Sequence, residues 1–342
     1  MADQEMRAAL GATLNKLMDE DERILLVNAD LAGALGTSAV IKAHPDRCYD
    51  VGIQEANMTS FAAGLASSGF IPFIASFTAF TSRRACDQLM VSVAFAKQPV
   101  KVIGGDPGVS AQINGGTHMS FEDVAIMRSM AGFKVVEPAD PHSMEVLLPQ
   151  IAADPAPVYI RSFRKKRHNI YPEHPDLKLG RAEIVREGTD VSLIASGVEL
   201  LEAMKAAEIL DKEGVHAEVI DVHTVKPLDA ETILASVGRT GAAVTCDNAS
   251  VVGGLGDAVS EVVSEAHPVP ITRIGVHDRV GQVGPLDFLL DEYQLGPPCS
   301  AKAARTVLAA KSPAAPGSRQ DPPAEKTRCP LTDMFSPAGG LT

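Results

Sequence analysis

The sequence is poor in cysteine and in aromatic side chains. Its 342 residues include five cysteines, no tryptophan and only 4% aromatic residues. The cysteines are widely scattered and none forms a C-x-x-C pair, which argues against a disulfide framework and against a zinc site; they are Cys48, Cys86, Cys246, Cys299 and Cys329. We therefore expect a reducing, cytoplasmic location and no metal ligands in this chain.

The chain also lacks a positive net charge and long apolar runs. Its formal net charge is -12, which repels phosphodiester backbones, so no nucleic-acid partner is expected. No apolar run reaches the roughly 18 residues of a membrane-spanning helix. The N-terminus has no basic region followed by an apolar segment. We expect a soluble, unexported protein with no membrane partner.

Short apolar runs that alternate with helical patterns are abundant. Apolar spacing predicts helices at 7–18, 57–67 and 199–210. Strand-like runs are found at 24–30, 72–75, 99–104, 133–136, 157–161, 190–196, 216–222, 242–247 and 270–275. The alternation predicts an α/β fold with two consecutive α/β domains and mostly parallel sheets.

Changes in composition indicate the domain boundaries. Segment 168–185 contains two prolines and several charges without periodicity, which indicates a linker. From residue 311 the chain is rich in Pro, Ala and Gly, which is typical of a flexible tail. We predict one domain at 1–175, a second at 186–310 and a tail at 311–342.

One carboxylate and two aromatic residues suggest chemistry in the first domain. Glu55 directly precedes the predicted 57–67 helix, and by position alone it is most simply an acid at a helix N-terminus. Phe77 and Phe80 are three residues apart in a chain with few aromatics, and taken alone they are as readily core residues. Their combination in one segment favours a site.

Segment 49–80 reads YDVGIQEANMTSFAAGLASSGFIPFIASFTAF and resembles the pyrimidine-binding domain of transketolases. In that family the acid of a G-I-x-E segment hydrogen-bonds a ring nitrogen of thiamine diphosphate. Glu55 matches that acid, which implies that it shares a proton with the aminopyrimidine and so promotes loss of the thiazolium carbon proton. Phe77 and Phe80 match the aromatics around this ring. Arg83 replaces a tyrosine common in the family, which implies a contact with the cofactor, a phosphate or the partner chain.

A Gly-rich loop at 104–129 reads GGDPGVSAQINGGTHMSFEDVAIMRS and resembles the transketolase D-G-P-T-H loop, which lies over the thiazolium and contacts substrate hydroxyls. His118 matches the histidine of that motif, which implies that it orients the substrate and assists proton transfer. Asn114 stands where the family usually has an aspartate for the substrate 2-hydroxyl, and an amide can also bond a hydroxyl. Asp106 is a further expected substrate contact.

Two arginines are expected to bind the substrate phosphate. Arg164, in VYIRSFRKKRH (158–168), matches by position the family arginine that binds this group, and a guanidinium fork suits phosphate geometry. Arg7 lies at the separation from Asp30 that the resemblance implies for a second phosphate arginine.

The sequence contains no G-D-G motif. Transketolases use that motif and a downstream Asn, in a separate domain, to hold the cofactor diphosphate through Mg²⁺. The resemblance, which covers about residues 5–310, therefore implies the C-terminal subunit of a split transketolase. It further implies an N-terminal partner subunit that carries the G-D-G motif and the Asn and supplies most of the Mg²⁺ ligands. The expected assembly is α2β2, and the expected reaction is ketol transfer between (phospho)sugars.

Three alternatives remain open at this point. A β subunit of a 2-oxo acid dehydrogenase and a 1-deoxy-D-xylulose-5-phosphate synthase-like enzyme would share this fold. The G-G-T-H sequence with Arg164 favours a sugar-phosphate acceptor over a lipoyl domain. A non-catalytic scaffold subunit is the third alternative, and the joint presence of Glu55, Phe77, Phe80 and His118 argues against it.

Overall fold

The computed structural model describes residues 4–166 and 168–311. Residues 312–342, which make up almost all of the predicted tail, lie outside the described residues. The α-helices are α1 (Met6–Glu20), α2 (Ser38–Ala43), α3 (Glu55–Ser67), α4 (Cys86–Gln88), α5 (Asp123–Ser129), α6 (Pro141–Ala153), α7 (Val198–Asp211), α8 (Ala230–Thr240), α9 (Leu255–Ala266), α10 (Leu286–Glu292) and α11 (Pro297–Ala310).

The described residues also form four shorter helical segments. Two are π-helical, at Phe80–Arg84 and Leu89–Phe95, and two are 3-10 turns, at Pro45–Arg47 and Gly108–Asn114. The strands are β1 (Ile24–Asn28), β2 (Cys48–Asp50), β3 (Ile71–Phe77), β4 (Lys101–Gly105), β5 (Lys134–Val136), β6 (Val158–Ser162), β7 (Glu183–Arg186), β8 (Val191–Ala195), β9 (Ala217–Asp221), β10 (Thr224–Lys226), β11 (Ala243–Ser250) and β12 (Ile271–Val276).

The strands form two sheets within the described ranges. The first has seven strands in the order β10-β5-β6-β4-β3-β1-β2, and the second has five in the order β12-β11-β8-β9-β7. Only β10 with β5 and β7 with β9 pair antiparallel; the other neighbours are parallel. The predicted α/β fold with mostly parallel sheets is confirmed.

Three strands do not appear among the predicted ones. β2 and β10 have only three residues each, too few to show a period of two. β7 begins at Glu183, inside the segment predicted as a linker, and it is a partly exposed edge strand without a continuous apolar run. β10 follows β9 of the second sheet yet completes the edge of the first, so the chain crosses back to its N-terminal half.

One of the apolar core clusters runs through both halves of the described chain. It includes Leu14 of α1, Leu147 of α6, Leu193 of β8 and Ala207 of α7, all fully buried. These side chains fall on the faces that helical and strand periodicity assign to the interior. None of the described helices is long and apolar enough to cross a bilayer.

Parallel pairing in the first sheet gathers the predicted site residues at one edge. Phe77 is the last residue of β3, Asp106 directly follows β4, and Arg164 comes two residues after β6. In parallel α/β sheets the carboxyl ends of the strands are where ligands bind.

Candidate active site

Glu55 is a buried acid with two partners. It is the first residue of α3 and is only 1% exposed. Ser76 Oγ, on β3, donates to Glu55 Oε1 at 3.0 Å, and Arg84 Nη1 donates to Glu55 Oε2 at 2.6 Å. Burial of a carboxylate requires such partners. A carboxylate has about four lone-pair sites, so acceptor capacity remains for a ligand.

An aromatic wall stands beside this acid. The rings of Phe77 and Phe80 have centroids 6.1 Å apart, and the His118 ring lies 5.5 Å from Phe77 and 5.1 Å from Phe80, all in edge-to-face arrangements. Edge-to-face packing of this kind is favourable and fixes ring orientation. Thr117 Oγ1 lies 2.9 Å from His118 Nδ1 and constrains the imidazole further. The structure thus brings together His118 and the two phenylalanines predicted from separate segments.

Arg84 connects the acid to the wall. Its guanidinium carbon lies 4.3 Å from the centroid of the Phe80 ring while Nη1 bonds Glu55. Arg84 follows Phe80 by four residues on a π-helical segment, which places both on one face. Sequence reasoning missed this residue. Short π-helical segments occur often at functional sites, but nothing in the letters FTSRR shows that one forms.

Arg164 lies at the other end of the wall. Its guanidinium carbon is 4.9 Å from the Phe77 ring centroid. Asp106 Oδ2 accepts from Arg164 Nε at 2.5 Å, and Asp106 Oδ1 accepts from the Arg164 backbone N–H at 3.2 Å. Burial raises the pKa of Asp106 above its usual range, and the contact with Arg164 partly offsets this. Asp106, which stays a predicted substrate contact, is only 1% exposed, and its carboxylate orients Arg164.

Arg7 converges on the same place. Arg7 Nη1 and Arg164 Nη1 both donate to the carbonyl oxygen of Ala34, at 3.4 and 3.5 Å. The Arg7 backbone N–H also donates to the Arg164 carbonyl at 3.3 Å. Two cations predicted from separate parts of the sequence are therefore neighbours, and Glu5 balances one of them through Arg7 Nε at 2.8 Å.

Arg83 and Asn114 are the remaining predicted site residues. Arg83 Nη2 donates to the Thr117 carbonyl at 3.2 Å, and its Nε lies 3.1 Å from Glu122 Oε1, so Arg83 contacts the loop that carries His118. Asn114 ends the Gly108–Asn114 turn, and its Nδ2 is buried with no hydrogen-bond partner among the described residues. Within those residues, no group of three or more His, Cys, Asp or Glu side chains is arranged to hold a metal ion.

Comparison with protein families identifies both halves of the chain. The model of the transketolase pyrimidine-binding domain matches residues 2–168, and the model of the transketolase C-terminal domain matches residues 180–298. A solved structure described as a split gene transketolase, inactive beta4 tetramer, matches with a TM-score of 0.84 and 34% identity, covering 90% of this chain and 99% of that chain.

Individual relatives agree with the family models. The chain is 48% identical over 293 residues to the 6-deoxy-6-sulfo-D-fructose transketolase subunit SqwH of Clostridium sp. (strain MSTE9), covering 86% of this chain and 91% of that protein. It is 34% identical over 310 residues to 1-deoxy-D-xylulose-5-phosphate synthase 1 of Geobacter sulfurreducens, but spans only 48% of that protein. The chain belongs to the transketolase family, as a split-transketolase subunit with the pyrimidine-binding and C-terminal domains.

Proposed function

We propose that this subunit transfers a two-carbon ketol unit from a ketose to an aldose, with thiamine diphosphate as cofactor and an N-terminal subunit as partner. The observation that carries the proposal is the continuous set of contacts from Glu55, through the aromatic wall, to Arg164 and Arg7. It places a buried acid, apolar ring faces and two cations along one edge of the sheet.

The residues fit the aminopyrimidine half of the cofactor. A planar ring with a basic nitrogen needs an acid at its edge and apolar side chains at its face, and Glu55 with Phe77 and Phe80 offers both. When bound, the cofactor supplies the carbanion chemistry. Glu55 exchanges a proton with the ring nitrogen, and the phenylalanines keep water from this position. The diphosphate and Mg²⁺ are assigned to the partner, through its G-D-G and Asn residues.

The other end of the site is suited to an anionic sugar. His118 is placed to hydrogen-bond a substrate carbonyl or hydroxyl and to move a proton there, while Arg7 and Arg164 bind the terminal anion. We propose a phosphate as this anion. A sulfonate is a second candidate, because the 48% identical relative is named for 6-deoxy-6-sulfo-D-fructose and sulfonate oxygens also accept from guanidinium groups.

Assembly follows from the division of the site between two chains. We propose an α2β2 complex in the cytoplasm. The isolated chain lacks the diphosphate half of the site and is expected to show no turnover. Asn114, with its unpartnered buried Nδ2, is proposed to contact the substrate 2-hydroxyl as a neutral group.

The replacement Glu55→Gln tests the proposal. The amide keeps an acceptor for Ser76 but cannot exchange a proton, so ketol transfer by the complex should fall by at least about 100-fold. Glu218→Gln is a matched control, because buried Glu218 is likewise bonded to a serine, Ser236, and to a half-exposed arginine, Arg239. This control should retain wild-type transfer. A Glu55→Gln complex that keeps most of its activity would overturn the assignment.

The same complex separates the alternatives. A 2-oxo acid dehydrogenase subunit or a 1-deoxy-D-xylulose-5-phosphate synthase would release carbon dioxide from pyruvate, whereas a transketolase releases an aldose from a ketose without decarboxylation. A scaffold subunit would leave the complex unable to bind thiamine diphosphate in a titration. We expect transfer between (phospho)sugars, cofactor binding and no carbon dioxide from pyruvate.

A further inference from the structure

Arg84 has two contacts at the proposed cofactor site. Its side chain is 46% exposed, while that of its partner Glu55 is 1% exposed. The guanidinium bonds Glu55 Oε2 at 2.6 Å and lies 4.3 Å from the Phe80 ring centroid. Stacking on an aromatic face restricts the rotation of the guanidinium and favours a charge-assisted hydrogen bond of fixed direction.

The described chain contains a similar pair that lacks the second contact. Arg239, 49% exposed, bonds Glu218, which is fully buried, and a serine also bonds that carboxylate. Arg239 lies over no aromatic ring among the described contacts. A buried glutamate paired with an arginine therefore occurs in this fold outside the proposed site as well. Arg84 differs from Arg239 because its guanidinium also lies over the Phe80 ring.

We infer that Arg84 is a positioning residue for Glu55, one that fixes the direction of the carboxylate toward the ring site. The inference rests on the proposed function. Ser76 and Arg84 occupy only part of the acceptor capacity of Glu55, so an oxygen lone pair remains for a ring N–H.

The inference assigns Arg84 a role in proton exchange. The proton moves between one Glu55 oxygen and one ring nitrogen, and no other bond changes. A fixed cation beside the carboxylate stabilises the arrangement in which the proton resides on the ring. Arg84 acts through Glu55 and contacts no reacting atom itself.

The first experiment compares Arg84→Ala, Arg84→Lys and Arg239→Ala, each reconstituted as full chain with the N-terminal subunit. Loss of a charge-assisted hydrogen bond of this kind should lower kcat by about 10- to 100-fold. KM for the sugars should change much less, because the substrate end of the site is intact. Lysine restores charge without the planar fork, so Arg84→Lys should recover part of the loss. Arg239→Ala should behave as wild type.

Two further readouts distinguish positioning from general structural support. In a double-mutant cycle on thiamine diphosphate affinity, Arg84→Ala should weaken binding in the wild-type background and have no further effect in the Glu55→Gln background. Guanidinium ion, well below denaturing concentrations, should restore part of the kcat of Arg84→Ala. Urea, planar and of similar size but neutral, should not.

Several results would overturn the role of Arg84. The first is that Arg84→Ala keeps the wild-type kcat and cofactor affinity. The second is that Arg84→Ala loses as much cofactor affinity in the Glu55→Gln background as in the wild type, and the third is that urea rescues kcat as well as guanidinium does. The fourth is that Arg84→Ala binds the cofactor more tightly and turns over faster than the wild type. An inactive wild-type complex would instead overturn the proposed function itself, so the two failures are distinguishable.

Discussion

Arg83 and Arg84 are adjacent in sequence but contact different parts of the site. Arg84 contacts the acid and Phe80, whereas Arg83 contacts the Thr117 carbonyl and Glu122 on the His118 loop. A side chain 44% exposed contributes little to stability through such contacts. We therefore expect the Arg83 contacts to affect the position of the His118 loop more than the stability of the fold.

This geometry yields a prediction for Arg83→Ala. The Thr117 carbonyl and Glu122 lose their cation, so the His118 loop loosens, and kcat/KM for the acceptor should fall by no more than about fivefold, as for an exposed ion pair. Thiamine diphosphate affinity should not change. Titration of cofactor and a steady-state series in acceptor check both. A large loss of cofactor affinity would favour the sequence-based expectation that Arg83 contacts the cofactor.

At the scale of residues, sequence identified most groups that the structure brings together. Glu55, Phe77, Phe80, His118, Arg164 and Arg7 form connected contacts, although their roles stay predictions. Ser76 and Arg84 were missed because the contact of Ser76 depends on the packing of α3 against β3 and that of Arg84 on a π-helical segment. The family resemblance assigned roles to single residues. It did not predict contacts between them, such as the hydrogen bond from Arg164 to Asp106.

At the scale of elements, a loop of the second half packs closely on the His118 loop. An added Cβ on Gly281 would lie 2.8 Å from Gly116 Cα and from Met119 Cβ, and one on Gly116 would lie 2.1 Å from the Gly281 carbonyl oxygen. Both distances are shorter than side-chain packing allows. The two glycines let the backbones touch, so the C-terminal half supports the substrate loop directly.

The replacement Gly281→Ala should separate these loops. Overpacking of this kind costs about 1–3 kcal/mol of unfolding free energy, and KM for the acceptor should rise because His118 moves with its loop. Gly64→Ala is a matched control, since an added Cβ at this position in α3 meets nothing within 4 Å. Alanine there should stabilise the helix by up to about 1 kcal/mol. Denaturant unfolding and acceptor kinetics test this, and wild-type values for Gly281→Ala would refute the supporting role.

The strands show what periodicity can and cannot predict. Every apolar run predicted as a strand overlaps one of the observed strands, because buried parallel strands are continuous apolar segments. β10 has only three residues and joins the first sheet antiparallel to β5. That pairing is decided by where the second half packs, which no local pattern encodes.

At the scale of the whole molecule, buried charges join the two halves. Fully buried Arg161 on β6 donates to Asp123 at 2.7 Å and to Glu137 at 2.8 Å, and it lies 3.9 Å from Asp247 on β11. Three acids face one arginine, so acidic groups outnumber cations there, and burial raises the pKa of Asp247 to about 7. Removal of one partner from such a network is costly, since the remaining charge stays buried. No role was predicted for Arg161 from the sequence.

The same excess of acid makes stability depend on pH through Asp221. Burial raises the pKa of Asp221 to about 8, with Asp140 and Glu137 adding to the effect, although Tyr171 donates to its carboxylate at 2.7 Å. The folded chain therefore holds this proton more tightly than the unfolded chain, and the stabilisation is lost as pH rises through about 8. His223 acts in the opposite direction, because burial lowers its pKa to about 4.

Comparison with Asp221→Asn between pH 6.5 and 8 isolates the Asp221 carboxylate, because His223 and Asp247, whose pKa burial raises to about 7, are present in both proteins. We expect the unfolding free energy of the wild type to fall relative to that of Asp221→Asn by up to about 2 kcal/mol, at 1.36 kcal/mol per pH unit for one proton. Asparagine still accepts from Tyr171 but cannot ionise. Asp46→Asn, a change at an exposed position, should keep the wild-type pH dependence. Urea unfolding at the two pH values measures the difference. If the unfolding free energies of Asp221→Asn and wild type changed in parallel, Asp221 would already be ionised in the folded chain. Water between the sheets would then be the reason.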